Sequence, residues 1–235
     1  MKSFLLTALL CTAVSVPSFS ISADDIIRKY DETQTFRTFE SYGSIITTDR
    51  FGTKKSDFTS WSQGNSRFLV EFTSIEEKGQ RILRTPEKLF LYYPDSEEII
   101  RLQGAALRQS LLGSDISYED MTEGGDTLSS YTASLEGEED VSGRICHIIR
   151  LEAKTKNIAY PIKKIWIDRE NYVPWKSEYY SKSDRLLKTM KTATYDSSNG
   201  KIIITSLTVF DALRKNSQTD LVIHNYRINP ALHPG

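Results

Sequence analysis

Three carboxylates stand close together in one short segment: Asp115, Glu119 and Asp120. Paired carboxylates are what general acid and base chemistry needs, so a hydrolytic centre is one reading of this cluster. The other reading is architectural. Ser117-Tyr118-Glu119-Asp120 fits a capping pattern, in which a serine oxygen accepts from a helix N–H and an acidic residue three positions on reaches back. Gly113 permits a tight reversal just before it. The architectural reading is the stronger, and it assigns Leu112, Gly113, Ser114, Asp115 and Asp120 to a covering segment rather than to catalysis.

The remaining reactive side chains are scattered. His147, His224 and His233 are far apart, and only His147 has a cysteine beside it, Cys146. Adjacent strand residues face opposite ways, so these two are poorly placed to share a metal, and no metal site is expected. A lone thiol in a strand more often serves as a small hydrophobe than as a nucleophile. The chain has no G-x-S-x-G elbow, no phosphate-cradling glycine loop and no His/Asp/Glu cluster. The expectation is a protein that is not an enzyme, with no catalytic residues and no cofactor.

The N-terminus carries a single positive charge at Lys2, a mostly apolar run from Phe4 to Val16, then Pro17 and small residues through Ala23. That is the layout of a secretory signal peptide. The run falls short of the roughly 20 residues needed to span a bilayer as a helix, so removal is expected. Small residues allow cleavage after Ser20, Ser22 or Ala23; residues 1–23 are read as the signal and 24–235 as one domain. Leu10 stands where lipidation of Cys11 would want a small residue. Loss of the signal leaves Cys146 alone, so no internal disulfide staples the fold and a core must do so. The formal charge of −1 comes from interspersed Lys, Arg, Asp and Glu, the pattern of a solvated surface rather than a nucleic-acid stripe.

The elements that would position all of this are mostly strands. Asp24 to Gln34 places Ile26, Ile27 and Tyr30 on one helical stripe, with acidic residues in the first turn. From Phe36 to Asp49 the composition turns to Thr, Tyr, Phe and Ile. Period-two or apolar runs follow at 66–75, 88–93, 98–102, 143–151, 163–168, 172–181, 186–195, 201–210 and 220–228, separated by turn residues such as Ser198-Asn199-Gly200. Ten or more closely spaced strands predict a large antiparallel sheet, sandwich or barrel. Leu107, Leu111 and Leu112 suggest a helical interruption over 104–122, and 123–130, with Gly124-Gly125, reads as a mobile loop.

Two stretches carry a resemblance to a known family. RTPEKLFLYYPDSEEIIRLQGAALRQSLLGSDISYEDM, residues 84–121, runs an aromatic-rich strand into Tyr93-Pro94, then Ile99-Ile100-Arg101, Gln109-Ser110, Gly113-Ser114-Asp115 and Glu119-Asp120. KKIWIDRENYVPWKSEYYSKSDRLLKTM, residues 163–190, holds a Trp166-x-Asp168 and Tyr172-x-Pro174 core. Both resemble the outer-membrane lipoprotein-sorting proteins, relatives of the LolA-type periplasmic carriers; one departure is Ser183-Asp184-Arg185, where relatives commonly place a glycine. The resemblance implies a mainly β chain with a few short helices, its curved antiparallel sheet forming an incomplete β-barrel under a helical lid. It further implies that acyl chains lie in the opening.

Candidate lining residues for such a groove are Phe68, Val70, Phe72, Leu89, Leu91, Tyr93, Ile149, Leu151, Trp166 and Trp175. Each fits an ordinary sheet core equally well, since alternation is common to every packed sheet. Three functions follow in order: a periplasmic carrier of lipoprotein or lipid acyl chains, sorting them to the outer membrane; an envelope sensor or adaptor of the same fold, bound to an inner- or outer-membrane protein; and an envelope hydrolase on Asp115, Glu119 and Asp120. Nucleic acid is not among the expected partners.

Overall fold

The structure, a computed structural model, describes residues 21–122, 126–156 and 158–231. The export-signal reading lies almost wholly outside the described residues. Helix α1 (Ala23–Gln34) starts one residue earlier than its apolar stripe predicts, because Ser22 caps it: the Ser22 Oγ accepts from the Asp25 N–H at 3.1 Å. Ile26 and Ile27 are fully buried beneath it.

Thirteen strands form one open antiparallel sheet. They are β1 (Thr38–Asp49), β2 (Gly52–Gln63), β3 (Arg67–Phe72), β4 (Arg81–Arg84), β5 (Leu89–Tyr93), β6 (Glu98–Leu102), β7 (Tyr131–Asp140), β8 (Ile145–Ala153), β9 (Ile162–Asp168), β10 (Pro174–Tyr180), β11 (Leu186–Ser198), β12 (Lys201–Asp211) and β13 (Gln218–Ile228). The spatial order is β6-β5-β4-β3-β2-β1-β13-β12-β11-β10-β9-β8-β7. Two meanders, β1 to β6 and β7 to β13, are therefore sewn together where the last strand pairs with the first, and β6 and β7 remain as unpaired edges. This is the mainly β chain that the strand rhythm predicts and the incompletely closed sheet that the family resemblance implies.

Irregularities bend the sheet. Register shifts occur at Tyr42/Gly43, Pro174/Lys176, Tyr179/Tyr180, Leu135/Gly137 and around Thr194, and such bulges increase local twist and curvature. At Gly43 a side chain has no room: an added Cβ would sit 2.6 Å from the Val222 carbonyl oxygen and 2.7 Å from the Phe58 ring. The β11–β12 turn is the two-residue hairpin that its Asn199-Gly200 signature predicts, both residues having positive φ (51° and 73°). Asp184 also has positive φ (54°), which explains a preference for glycine at that turn and its tolerance of aspartate.

Two expectations need correction. Residues 104–122 form no α-helix; they run as three 3₁₀ turns, Gly104–Arg108, Leu111–Gly113 and Asp120–Thr122. A continuous helix is broken where Leu112 (φ 52°, ψ 28°) and Gly113 (φ 76°) turn left-handed. Within 123–130, residues 123–125 lie outside the described residues, but Thr127–Ser130 is a one-turn helix, α2, capped by the Asp126 carboxylate, which accepts from the Leu128 N–H at 3.0 Å.

One sheet face is covered by α1 and α2 over β7–β9 and by the 104–122 segment over β1–β6. Under the first, Ile26 and Ile27 pack with Tyr131, Ile149, Leu151, Ile165 and Ile167. Under the second, Leu111 and Tyr118 pack with Phe58, Phe72, Ile82, Leu89, Leu91 and Leu102.

Candidate functional site

Between these two coverings lies a cavity of about 820 Å³, within the range of roughly 300–1,000 Å³ usual for small-molecule sites. Its walls come from alternate residues of many strands. β3 gives Phe68, Val70 and Phe72; β2 gives Phe58, Ser60 and Ser62; β12 and β13 give Leu207, Val209, Leu221 and Ile223. The period of two thus delivers an apolar wall on the inner face while intervening residues point outward. Leu111, Ile116 and Met121 of the 104–122 lid complete the roof.

Of the ten predicted lining residues, Phe68, Val70, Phe72 and Leu151 face this space. Leu89 and Leu91 are buried under the lid, with Tyr93 packed against the same cluster, and Ile149 is fully buried in the α1 cluster. Trp166 and Trp175 must be corrected: they lie on the opposite face, packed with Cys146, Val173 and Ile202. Trp166 alternates with the inward Ile165 and Ile167, and Trp175 occupies the bulge between Pro174 and Lys176, which frees it from strict alternation. Their indole N–H groups donate to Glu139 (2.7 Å) and Asp168 (3.1 Å), and Lys176 and Arg144 sit over their rings.

Alternation alone does not mark the polar residues of the cavity. Lys163 on β9 lines it with its Nζ 4.5 Å from the Tyr131 ring and 5.5 Å from that of Tyr179, cation–π contacts that ease its burial. Arg84 is also buried in the wall. Asp31 accepts from the Thr127 N–H (2.9 Å) and Oγ1 (2.7 Å), yet burial pushes its carboxyl above the usual range. Lys163 alternates in phase with the inward Ile165 and Ile167, and a basic residue on that apolar face was the available signal.

The lid motif is held by two buried polar knots. Asp115 Oδ2 accepts from Ser217 and Thr219, each at 2.8 Å, while its own N–H donates to Thr219 Oγ1 at 2.8 Å. Arg214 donates to the Gly113 and Ser114 carbonyls. Asp120 pairs with the buried Lys188, accepts from Tyr160 at 2.5 Å, and reaches back to the Ser117 N–H at 2.7 Å. The capping geometry differs in one respect, since Ser117 Oγ donates to Asp120 (3.0 Å). Asp115 and Asp120 are thus engaged in separate anchors.

One Ser–His–Asp grouping occurs elsewhere. Ser44 Oγ lies 2.6 Å from His224 Nε2 and 2.5 Å from Asp57 Oδ1. In a catalytic triad the acid orients the histidine, whereas here both flank a fully buried serine, so this is a structural bridge between strands. His147 Nδ1 is 3.1 Å from Glu138 and its ring points to the face opposite Cys146. Burial pushes the Cys146 thiol up to about 11.

A family model described as an uncharacterized protein matches residues 64–234, a span holding both stretches that carried the resemblance. The chain belongs to that family. The likeness to lipoprotein-sorting proteins holds in the fold. A DUF1329 family protein from Desulfovibrio piger ATCC 29098 superposes with TM-score 0.82 at 22% identity, over 90% of this chain and 93% of that one. A LolA superfamily protein from Nitrosomonas europaea gives 0.76 at 24%, over 91% and 96%. A protein described as an outer membrane lipoprotein-sorting domain, from Vibrio parahaemolyticus, gives 0.81 at 18%, over 90% and 94%. No curated protein matches by sequence. The family's LolA-like fold is therefore that of an open barrel with a covered inner face, and no helix among the described residues is long and apolar enough to cross a membrane.

Proposed function

We propose that this protein is a periplasmic carrier that shields acyl chains of a lipoprotein or lipid in the covered cavity and helps sort them toward the outer membrane. The carrying observation is the apolar wall of Phe58, Phe68, Phe72, Leu207, Leu221 and Ile223 around about 820 Å³ of space beneath a separately anchored lid. Each methylene transferred there from water gains roughly 0.8 kcal/mol, so a chain of modest length is held by burial alone. Release then needs movement of the lid, which two polar knots hold in place together with the apolar contacts of Leu111 and Tyr118. The candidate ligand-contacting residues are Phe68, Val70, Phe72 and Leu151 from the sequence reading, joined by Phe58, Leu207, Leu221 and Ile223.

The test is to purify the protein from its native envelope, extract it with organic solvent and identify acyl cargo by mass spectrometry. The emptied protein is then titrated with a fluorescent fatty acid. Stoichiometric cargo and saturable uptake are expected, with Leu207→Trp, which fills the cavity, lowering affinity at least about tenfold through lost space. A protein that emerges empty and takes up no fatty acid overturns the carrier reading in favour of the adaptor.

A further inference from the structure

Three neighbouring hairpin loops at one end of the barrel each end in a large exposed hydrophobe. Phe51 lies between β1 and β2, Ile75 between β3 and β4, and Leu213 between β12 and β13; their exposures are 82%, 96% and 68%. Strand pairing puts them on one rim. Thr48 faces Gln218 across β1 and β13, beside the Leu213 loop. Lys54 of β2 bonds Glu76 and Glu77 of the Ile75 loop at 3.0 and 2.7 Å. In the sheet order β4-β3-β2-β1-β13-β12 the three loops are successive.

Each tip also carries an exposed cation within three residues: Arg50, Lys78 and Lys215. Among the described residues no ion pair engages these three. Arg50 stacks over the Phe51 ring at 4.5 Å. Of the acids in the same loops, Asp49 accepts from the Phe51 N–H and Asp211 from the Leu213 N–H, each at 2.8 Å, and Glu76 and Glu77 share Lys54. The rim therefore presents apolar tips beside cations that no ion pair engages among the described residues. Exposed hydrophobes scattered singly need no explanation, but three on adjacent tips with a cation each do.

We infer that this rim docks the protein onto an anionic phospholipid surface, the three apolar tips entering the headgroup–acyl boundary while Arg50, Lys78 and Lys215 lie against lipid phosphates. A bilayer fits better than a folded partner because the three apolar tips project from successive loops of one rim and each stands beside an exposed cation that makes no ion pair among the described residues. The docking is independent of the cavity's ligand, since the rim residues do not line that space.

The experiment is co-sedimentation of the emptied full protein with vesicles of equal parts phosphatidylcholine and phosphatidylglycerol, and with phosphatidylcholine alone. Binding to the anionic vesicles is expected. It should fall at least about tenfold in Phe51→Ser/Ile75→Ser/Leu213→Ser, and on the order of a hundredfold in Arg50→Gln/Lys78→Gln/Lys215→Gln. All six positions are exposed, and an unchanged thermal unfolding curve confirms that the variants fold. Equal binding to both vesicle types, or equal binding by wild type and both variants, overturns the proposal. So does binding only to native envelope membranes that protease treatment abolishes, which would assign the rim to a membrane protein.

Discussion

The inner face of this sheet is covered in two different ways. Helix α1 is regular, amphipathic and fixed by apolar contact, with Ile26 and Ile27 wholly out of water against β7–β9. The 104–122 lid has short 3₁₀ turns and, besides the apolar contacts of Leu111 and Tyr118, is pinned at two polar points, Asp115 to the start of β13 and Asp120 to Lys188 on β11. Apolar packing is non-directional and degrades gradually as area is lost. A buried ion pair is all or nothing: losing one partner leaves the other charge uncompensated. The helix reads as permanent wall and the lid as a latch.

The largest effect should therefore come at the latch. Asp120→Ala leaves Lys188 buried and unpaired, with an expected cost of about 3–5 kcal/mol by chemical denaturation; the double change Asp120→Leu/Lys188→Met should recover most of it. Ile27→Ala should cost about 2–5 kcal/mol, and no second substitution of that kind should rescue it. If Asp120→Ala alone is neutral, the distinction between latch and wall fails.

A second effect sharpens the same contrast by pH. Burial pushes the Tyr118 phenol of the lid up to about 12, above its ordinary value near 10. A raised acid holds its proton in the folded state, so its contribution is fully present below pH 10 and is lost as pH rises through 12. Wild type should lose stability across that window more steeply than Tyr118→Phe, measured by denaturation at fixed temperature. Equal slopes would mean that the phenol is not enclosed.

The smallest effect concerns the other face. Trp61 alternates with the cavity-lining Ser60 and Ser62, so it points outward like Trp166 and Trp175. Filling the cavity with a non-fluorescent fatty acid should leave tryptophan emission nearly unchanged. A large spectral shift on binding would move the ligand to the outer face.

Much of this was legible in the residues. The strand rhythm, the α1 stripe, the Asn199-Gly200 hairpin and the inward set Phe68, Val70 and Phe72 follow from local periodicity and turn chemistry. Three strands were not marked. Gly52–Gln63 is largely polar, Arg81–Arg84 has only four residues, and Tyr131–Asp140 is an acidic edge that buries little. The misplaced tryptophans have a different cause. Hydrophobicity marks which residues avoid water but carries no sign for the face, and the bulge at Trp175 breaks the count that would have supplied it. The pairings of Lys163 and of Asp120, itself legible as a lid residue, were hidden for a third reason, since their partners Tyr131 and Lys188 are distant in the chain.

The unpaired edges β6 and β7 have a mechanical consequence. A closed barrel has a circumference fixed by its strand number and shear, and widening it breaks a ladder. Here no ladder joins the ends, so the sheet behaves as a split ring: it can spread or tighten by small changes of twist shared over twelve strand pairings, with every interstrand hydrogen bond retained. The resistance to such breathing then resides in the coverings that bridge the inner face, which makes the latch rather than the sheet the determinant of how wide the ring stands.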